Sequence, residues 1–182
     1  MRAGRLVLTA PLPQSLALLR SGGVPLPERL LRDLQAVTYH PCLALLLTLD
    51  GPSAVPAEGL GLHAGPVRWL ADNTKKGISP GPASAVTVHL HEAFSAAHYA
   101  DTEDALARLV LPGIETWLGA PVVHVGLHRW KFSQPTITYA EPCVWRAEIG
   151  LGLAGDAFGG PRVEGAAISG LALAGRMQEG QG

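Results

Sequence analysis

Residues 151–177, LGLAGDAFGGPRVEGAAISGLALAGRM, place a carboxylate between an apolar run and a run of small residues. The apolar run predicts a strand that ends at Gly155-Asp156. The small residues after the Gly-Gly-Pro turn predict a helix, with Pro161 suited to its first turn and Arg176 to its last. A helix start presents unpaired N–H groups and a partial positive charge, which suit an anion or an electron-rich carbonyl. On spacing alone, Asp156 either caps its own turn or accepts hydrogen bonds from the hydroxyls of a sugar or polyol.

Small residues recur at intervals of four along the predicted helix. Gly165 is followed by Ser169, and Ala166 is followed by Gly170 and Ala174. Residues four apart lie on one face of a helix. These rows therefore predict two faces on which a sheet or a flat ligand approaches the backbone closely.

Outward from this segment, the hydrophobic pattern predicts further strands and helices. Strands are predicted within residues 5–10, 38–50, 67–73, 84–95, 121–133 and 143–156, and helices within residues 13–23, 25–37 and 100–119. The segment 38–50 is apolar almost throughout, which is typical of a strand in the centre of a sheet. Long strands with few helices predict an α+β fold with a mixed, largely antiparallel sheet flanked by helices.

Two predicted strands place histidines on one face at a period of two. On the first, Thr87, His89 and His91 share a face. On the second, the residues that share a face are His124, Gly126, His128, Trp130 and Phe132. A metal ion bridging such histidines lacks a third ligand of suitable spacing. Packing, or the lining of a substrate cavity, is the better interpretation, and no metal site is predicted.

The composition argues against several classes of function. The 182 residues carry a formal net charge of −1, and no basic run is longer than Lys75-Lys76, so the sequence lacks a nucleic-acid-binding stripe. No segment reaches the roughly 20 apolar residues of a membrane span, and we expect a cytoplasmic protein. Cys42 and Cys143 are predicted to be buried thiols, with one remote disulfide as the alternative.

Two glycine motifs match dinucleotide-binding patterns in their letters but not in their context. Residues 150–155, GLGLAG, satisfy G-x-G-x-x-G, yet these glycines lie in the apolar run and the helix begins only after Pro161. Residues 59–64, GLGLHA, follow a segment that is not a predicted strand. The serine elbow G-x-S-x-G does not occur either, so a Ser-His-Asp hydrolase is not predicted.

Segments along nearly the whole chain resemble one family. LAGDAFGGPRVEGAAISG is similar to the C-terminal flavin signature of amine-oxidase-like and renalase-like NAD/FAD-dependent oxidoreductases. The resemblance continues upstream, in the expected order, through LVLTAPLPQSLALL, YHPCLALLL, WLADNTKKG, TVHLHEAFSAAHY and HRWKFSQPT. It implies the substrate lobe of an FAD amine-oxidase-type fold, together with a strand–helix remnant of the FAD-binding lobe.

The resemblance assigns roles to four parts of the chain. Residues 1–22 correspond to a strand and helix returning from the FAD-binding lobe, and residues 23–145 to the substrate lobe. Residues 146–177 correspond to a C-terminal strand and helix that contact the flavin, and residues 178–182 to a tail. The family's N-terminal half, with the G-x-G-x-x-G turn that holds the pyrophosphate, has no match in this sequence.

The resemblance also implies cofactor-binding and substrate-binding residues. Asp156 corresponds to the ligand of the FAD polyol, and the helix start at Arg162 to the backbone that faces the flavin pyrimidine. The cofactor-binding set is Gly155, Asp156, Arg162, Val163, Glu164 and Gly165, and the candidates for the substrate pocket are Trp69, His128 and Trp130. Asn73 and Lys75 receive no role, because the family tends to have Ser-Lys-Pro-Gly where this chain has Thr-Lys-Lys-Gly. Catalytic residues are not identified.

The implied activity is hydride transfer from a small amine or from reduced NAD(P) to FAD. Nanomolar FAD binding needs about −12 kcal/mol, whereas a helix start contributes up to ~2 kcal/mol, so we expect FAD binding by this chain alone to be weak or absent. We also expect a partner chain that supplies the missing half, or self-association. The alternative function is a non-catalytic fragment that acts as a binding or interaction module.

Overall fold

The computed structural model describes residues 3–179. Its strands are β1 (Leu6–Leu8), β2 (Thr38–Leu49), β3 (Leu60–Gly61), β4 (Val67–Asp72), β5 (Ala85–Leu90), β6 (Val122–Ile137), β7 (Val144–Arg146) and β8 (Leu151–Leu153). Its helices are α1 (Leu12–Ser21), α2 (Glu28–Gln35), α3 (Glu92–Ala97), α4 (Glu103–Val110), α5 (Glu115–Leu118), α6 (Asp156–Gly159) and α7 (Val163–Glu179), with 3-10 turns at Leu111–Gly113 and Ala147–Ile149. Of the predicted tail, Gln178 and Glu179 lie in α7, and residues 180–182 lie outside the described residues.

The strands within residues 3–179 form two sheets. One has the order β1-β8-β7 and the other β3-β4-β5-β2-β6. β1 pairs with β8 in parallel, while β7–β8, β3–β4, β4–β5 and β5–β2 are antiparallel pairs. The predicted fold class, an α+β fold with a mixed, largely antiparallel sheet and flanking helices, is confirmed.

The backbone contacts divide the chain into two compact units. One unit is Pro41–Ser133, and the other combines residues 3–40 with residues 134–179. The divisions fall within β2 and β6. The functional roles of residues 1–22, 23–145 and 146–177 stay predictions.

The unit Pro41–Ser133 contains most of the five-stranded sheet and α3 to α5. β2 lies between β5 and β6, as predicted for the apolar segment 38–50. Thr102 caps α4 by accepting the N–H of Ala105 at 3.3 Å, and the helix breaks at the turn that contains Pro112, as predicted. The core of this unit consists of Leu43, Leu45, Leu47, Leu49, Val55, Val67, Leu70, Val86, Val88, Leu90, Leu106, Val110, Ile114 and Leu118.

The other unit packs α1, α2 and α6 against the three-stranded sheet. The parallel register pairs Leu6 with Leu151 and Leu8 with Leu153, so both strands end at the same edge of the sheet. α1 ends before Gly22 and Gly23, and Gly23 has φ = +65°, as expected at a glycine helix stop. The core of this unit consists of Leu12, Leu16, Leu19, Leu34, Val37, Val144, Leu151, Leu153, Ala157 and Phe158.

The predicted continuous strand over residues 143–156 is wrong. The chain instead forms β7, a 3-10 turn and β8, which pairs antiparallel with β7. Gly150 makes this reversal at φ = +63°, and a Cβ there would overlap the carbonyl oxygen of Gly4. A left-handed glycine in a tightly packed turn therefore interrupts an apolar run that otherwise reads as one strand.

Two other local predictions are also wrong. His91 does not share a strand face with Thr87 and His89, because β5 ends at Leu90 and α3 begins at Glu92. Pro161 does not lie in the first turn of the long helix, because α7 begins two residues later, at Val163.

Of the two cysteines, which were predicted to be buried, Cys143 is buried and Cys42 is only partly buried. Cys42 and Cys143 are free thiols, so the alternative of a disulfide between them is wrong. No helix in residues 3–179 is both long and apolar enough to cross a membrane.

Asp72 is the buried polar centre of the Pro41–Ser133 unit. The hydroxyls of Ser53 and Ser84 donate to its Oδ2 at 2.6 and 2.8 Å, and the N–H groups of Thr74 and Lys75 donate to its Oδ1 at 2.8 and 3.1 Å. Burial alone would raise the pKa of Asp72, but these four donors bring it below its ordinary value of 3.8.

The side chain of Lys75 adds two hydrogen bonds between the Asp72 segment and the Ser53 loop. Its Nζ donates to the carbonyls of Ser53 and Val55 at 2.8 and 2.6 Å. The segment ADNTKKG, for which the sequence left Asn73 and Lys75 without a role, therefore joins the loop after β4 to the loop after β2.

We expect Asp72→Ala to lower the free energy of unfolding by roughly 3 kcal/mol, because four donors, including the buried hydroxyls of Ser53 and Ser84, lose a charged acceptor. Exposed Asp50→Ala is the control, with an effect within about 0.5 kcal/mol. Since the folded pKa is lowered, the contribution of Asp72 is present above pH 3.8 and is lost as the pH falls through the folded pKa. Chemical denaturation at several pH values measures the difference in the free energy of unfolding between the unaltered protein and Asp72→Ala. A difference that stays unchanged in strong acid would contradict the role of the ionised Asp72 carboxylate.

Candidate functional site

A cleft of about 610 Å³ opens where β1 and β8 end. Parallel pairing brings the residues after Leu8 and Leu153 to one edge of the sheet, where α7 also begins. The cleft is lined by Thr9, Pro11, Ala154, Gly155, Asp156, Pro161, Arg162, Val163, Ala166 and Gly170. The ends of adjacent parallel strands beside a helix start are a common place for ligand binding.

Gly155 fixes the turn that leads from β8 into the cleft. It has φ = +134°, a conformation that favours glycine, and a Cβ there would lie 3.3 Å from the carbonyl oxygen of Thr9. Its N–H donates to the hydroxyl of Ser169 at 3.0 Å, and that hydroxyl donates to the carbonyl of Pro142 at 2.6 Å. The buried Ser169 of α7 therefore holds the turn against the helix.

Asp156 follows this turn as the first residue of α6 and is half-buried. Burial raises the pKa of the Asp156 carboxyl, and the N–H groups of Ala157 and of Asp156 itself offset this effect only in part. Burial likewise raises the pKa of Tyr39, with a further contribution from the charge of Asp156. The protein therefore holds this carboxylate at an energetic cost, which is common at functional sites.

The start of α7 forms one wall of the cleft. The N–H of Ala166 donates to the carbonyl of Arg162 at 3.0 Å, which closes the first turn. The first N–H groups of a helix have no carbonyl one turn earlier to bond, and they carry the positive end of the helix dipole. Val163 at this end is 88% exposed, and Ala166 and Gly170 extend the wall with small side chains.

Four of the six predicted cofactor-binding residues line the cleft: Gly155, Asp156, Arg162 and Val163. Glu164 is exposed beside the cleft lining. Gly165 is buried where α7 crosses α6, and a Cβ there would lie 2.5 Å from the carbonyl oxygen of Gly159 and 2.6 Å from that of Gly160. The position of Gly165 therefore supports close packing of the two helices.

Thr9 and Pro11 are lining residues that sequence reasoning missed. They follow β1, whose three residues pair in parallel with residues 151–153. The signal for them was the parallel pairing of two apolar runs at opposite ends of the chain, which periodicity alone does not reveal.

The three substrate-pocket candidates lie in the other unit, on the sheet surface opposite its core. Trp69 pairs with His89, and His89 pairs with Ala44. The ring of Trp130 lies 4.4 Å from that of His128, at an interplanar angle of 61°. Trp69 and Trp130 are 37% and 51% exposed, so both indoles are accessible.

The described residues hold no group of three or more histidine, cysteine, aspartate or glutamate side chains that could bind a metal ion. The strand histidines therefore do not assemble a metal site among residues 3–179.

No family model matches this chain. Among solved structures, a proposed protoporphyrinogen oxidase from Exiguobacterium sp. 255-15 is 18% identical, with a TM-score of 0.66 over 97% of this chain and 42% of its own. Putrescine oxidase bound to putrescine is 14% identical, with a TM-score of 0.59 over 97% of this chain and 43% of its own. An oxidoreductase from Methanosarcina mazei is 13% identical, with a TM-score of 0.61 over 96% of this chain and 43% of its own.

These similarities establish the fold. The chain has the fold of one part of these oxidoreductases, and it spans less than half of the length of each. The resemblance inferred from the sequence is therefore confirmed at the level of the fold.

We expect Asp156→Asn to stabilise the protein near neutral pH by no more than about 1 kcal/mol, because asparagine keeps the size and polarity of the side chain but carries no charge to desolvate. Since the folded pKa is raised, the penalty is absent below pH 3.8 and grows as the pH rises through the folded pKa. Denaturation of both proteins across the acid range measures this trend.

The control is Glu164→Gln, which removes the same charge at the exposed first turn of α7. It should instead lower stability by about 0.3–1 kcal/mol, because a negative charge near a helix N-terminus is favourable. Destabilisation by Asp156→Asn near neutral pH would contradict the conclusion that burial penalises the charge of Asp156.

Gly165→Ala should cost more than about 2 kcal/mol, because its Cβ meets backbone oxygens that cannot rotate away. Gly175→Ala in the same helix is the matched control, since nothing lies within 4 Å of its Cβ. That variant should gain about 0.5–1 kcal/mol from helix propensity. Thermal unfolding measures both, and equal effects would show that α6 and α7 do not pack as described.

Proposed function

We propose that this chain is the C-terminal part of an FAD-dependent oxidoreductase that transfers a hydride from a small amine or from reduced NAD(P) to the flavin. The observation that carries the proposal is the cleft, which is lined both by the half-buried Asp156 and by the start of the 17-residue helix α7. The oxidoreductases that share this fold add support at a coarser level.

The residues of the cleft fit one end of a flavin cofactor. Asp156 supplies a hydrogen-bond acceptor for polyol hydroxyls, and burial raises its pKa, so the protein does not fully stabilise its charge. Small residues at Gly155, Ala166 and Gly170 leave the backbone accessible to a flat ring. When bound, FAD would accept the hydride, and the N–H groups at Arg162 and Val163 would stabilise negative charge on the reduced ring.

We also propose that a partner chain covers the edge strand β1 and supplies the pyrophosphate site. Leu6 and Val7 of β1 are 51% and 41% exposed, and Ile168 and Leu171 of α7 are exposed as well. Exposed apolar side chains beside an open sheet edge favour docking of another polypeptide. Self-association through the same surface is the alternative, and a cytoplasmic location remains part of the proposal.

A second candidate function is a non-catalytic binding module. Residues 150–155 favour it. Their letters match G-x-G-x-x-G, but their glycines belong to β8 and its flanking turns, so they do not form a pyrophosphate loop. In this case the cleft would bind no flavin.

FAD titration of the ¹⁵N-labelled chain tests the two functions. A helix start and one charged hydrogen-bond site together contribute roughly 4 kcal/mol, so we expect a Kd of about 1 mM. The amide signals of Gly155, Asp156 and Val163 should move, and Asp156→Ala should weaken binding at least about fivefold. Asp104→Ala, which removes an exposed carboxylate from the first turn of α4, should leave the Kd within about twofold.

The outcomes separate the candidates. No saturable shift at the cleft amides would contradict flavin binding and favour the binding module. Equal binding by Asp156→Ala and the unaltered chain would contradict the polyol role of Asp156. Binding tight enough to retain flavin colour after dialysis would show that the chain does not need a pyrophosphate site from a partner.

A further inference from the structure

A further cavity lies in the Pro41–Ser133 unit, between the end of α4 and the start of β6. Its volume is about 720 Å³, which is within the range of small-molecule sites. The described residues that line it come from one short segment and are Leu111, Pro112, Glu115, Leu118, Gly119, Ala120, Pro121 and Val122. We call it the Glu115 pocket. None of these eight residues lines the cleft at the ends of β1 and β8.

Hydrogen bonds hold the two ends of this segment in place. At one end the N–H of Ile114 donates to the carbonyl of Leu111 at 3.1 Å, and Ile114 is 1% exposed in the leucine core. At the other end the N–H of Asp50 donates to the carbonyl of Pro121 at 2.9 Å. The walls are therefore formed in advance, and a ligand does not have to order the chain in order to bind.

Gly119 turns the chain from α5 toward β6 and forms part of the wall. It has φ = +72°, a conformation that favours glycine. A Cβ there would lie 2.9 Å from the backbone nitrogen of Ala54, whose N–H donates to the carbonyl of Trp117 at 3.1 Å. The turn therefore packs directly on the loop after β2, which fixes the wall at Gly119.

The pocket has apolar walls and a carboxylate. Among the described residues that line it, Glu115 has the one charged side chain, and the other seven are aliphatic residues or glycine. Leu118 in this wall is 5% exposed. None of the eight lining side chains carries an N–H or O–H donor, and Pro112 and Pro121 lack a backbone N–H as well. An anion therefore finds no side-chain donor in the lining, whereas a cation finds a carboxylate.

The Glu115 carboxylate is available to a ligand. Glu115 is exposed and makes no ion pair with any side chain within residues 3–179. Residues 109–128 contain no lysine or arginine, and the flanking Arg108 and Arg129 donate to backbone carbonyls of residues that do not line the pocket. The charge of Glu115 is thus left for a partner from outside these residues.

One cation is bound to the loop on which the Gly119 turn packs. The Nζ of Lys75 donates to the carbonyls of Ser53 and Val55 at 2.8 and 2.6 Å. Because this ammonium group is bonded to those carbonyls and does not line the pocket, it supplies no donor for an anionic ligand there.

We propose that the Glu115 pocket binds a monocation with an apolar body, such as a primary amine on an aromatic or aliphatic chain. The apolar body packs against Leu111, Leu118 and Val122, and the ammonium group pairs with the Glu115 carboxylate. A stable interface between proteins takes about 20–30 residues a side, so a pocket lined by eight residues suits a small molecule better than a second copy of the chain. This site goes beyond the proposed function, since it needs neither flavin nor any residue of the cleft.

NMR titration of the ¹⁵N-labelled full chain without flavin tests the proposal. The probes 3-phenylpropylamine, 3-phenylpropanol and 3-phenylpropanoate carry the same apolar body with a positive, a neutral and a negative end. We expect the amine to move the amide signals of Gly119, Ala120 and Val122 saturably. It should bind at least about threefold more tightly than the alcohol and at least about fivefold more tightly than the carboxylate. Methylamine, which carries the cation without the apolar body, should give no saturable shift.

Charge-removing variants separate the role of Glu115 from a general effect of net charge. Glu115→Gln should weaken binding of the amine about threefold, to the affinity of the alcohol, and leave the alcohol unchanged. The matched control is Asp104→Asn in the first turn of α4, roughly 10 Å from Leu111 along the helix axis. It removes the same charge and should leave the Kd of all three probes within about 1.5-fold.

Three results would overturn the proposal. The first is a carboxylate that binds as tightly as the amine, or a Glu115→Gln variant that keeps the preference for the amine. The second is a set of amine-dependent shifts confined to Gly155 and Asp156, because the amine would then bind the carboxylate of the cleft. The third is a change of the pocket signals on dilution of the protein alone, which would place a second copy of the chain in the pocket. FAD binding is measured at the cleft amides, so its failure and the failure of the Glu115 pocket are distinguished in the same chain.

Discussion

The parallel pairing of β1 with β8 holds together the parts of the chain on which the cleft depends. Residues 6–8 and 151–153 come from opposite ends of the sequence, yet their backbone bonds bring Thr9 and Gly155 to one sheet edge. α7 can form a wall of the cleft because Ser169 bonds the Gly155 turn that follows β8. Without this pairing, Asp156 and the helix start would still be neighbours in sequence but would have no opposing wall.

Sequence reasoning predicted the elements whose patterns are local. The apolar segment 38–50, the Thr102 cap and the break at Pro112 each depend on side chains within a few residues of one another. The strand–Gly-Asp–helix unit was predictable for the same reason, since strand, turn and helix are consecutive. Asp156 and the α7 start could therefore be identified as a pair before any tertiary contact was known.

The missed features depend on contacts between distant residues. Gly150 interrupts an apolar run because the backbone of Gly4 lies against it, and this neighbour is far away in sequence. Asp72 reads as an ordinary strand end, and only the approach of Ser53 and Ser84 makes it a buried hydrogen-bond centre. Similarly, the alternation of β6 predicted one face for His128 and Trp130, whereas the cross-strand register was needed to pair Trp69 with His89.

The two units also differ in how the sequence builds them. Pro41–Ser133 is one continuous segment with residues 41–49 of β2 at its centre, whereas the other unit joins residues 3–40 to residues 134–179. The continuous unit can fold through contacts between residues that are near one another in sequence. Once it is folded, the flexible chain between β1 and β8 is effectively shorter, which lowers the entropic cost of pairing them. On the ribosome, β1 must wait for its partner strand while about 140 further residues are made, which at roughly 5–20 residues per second takes on the order of 10–30 seconds. During that interval the apolar residues Leu6 and Val7 have no β8 to pair with. The growing chain is therefore exposed to association with other chains through this segment.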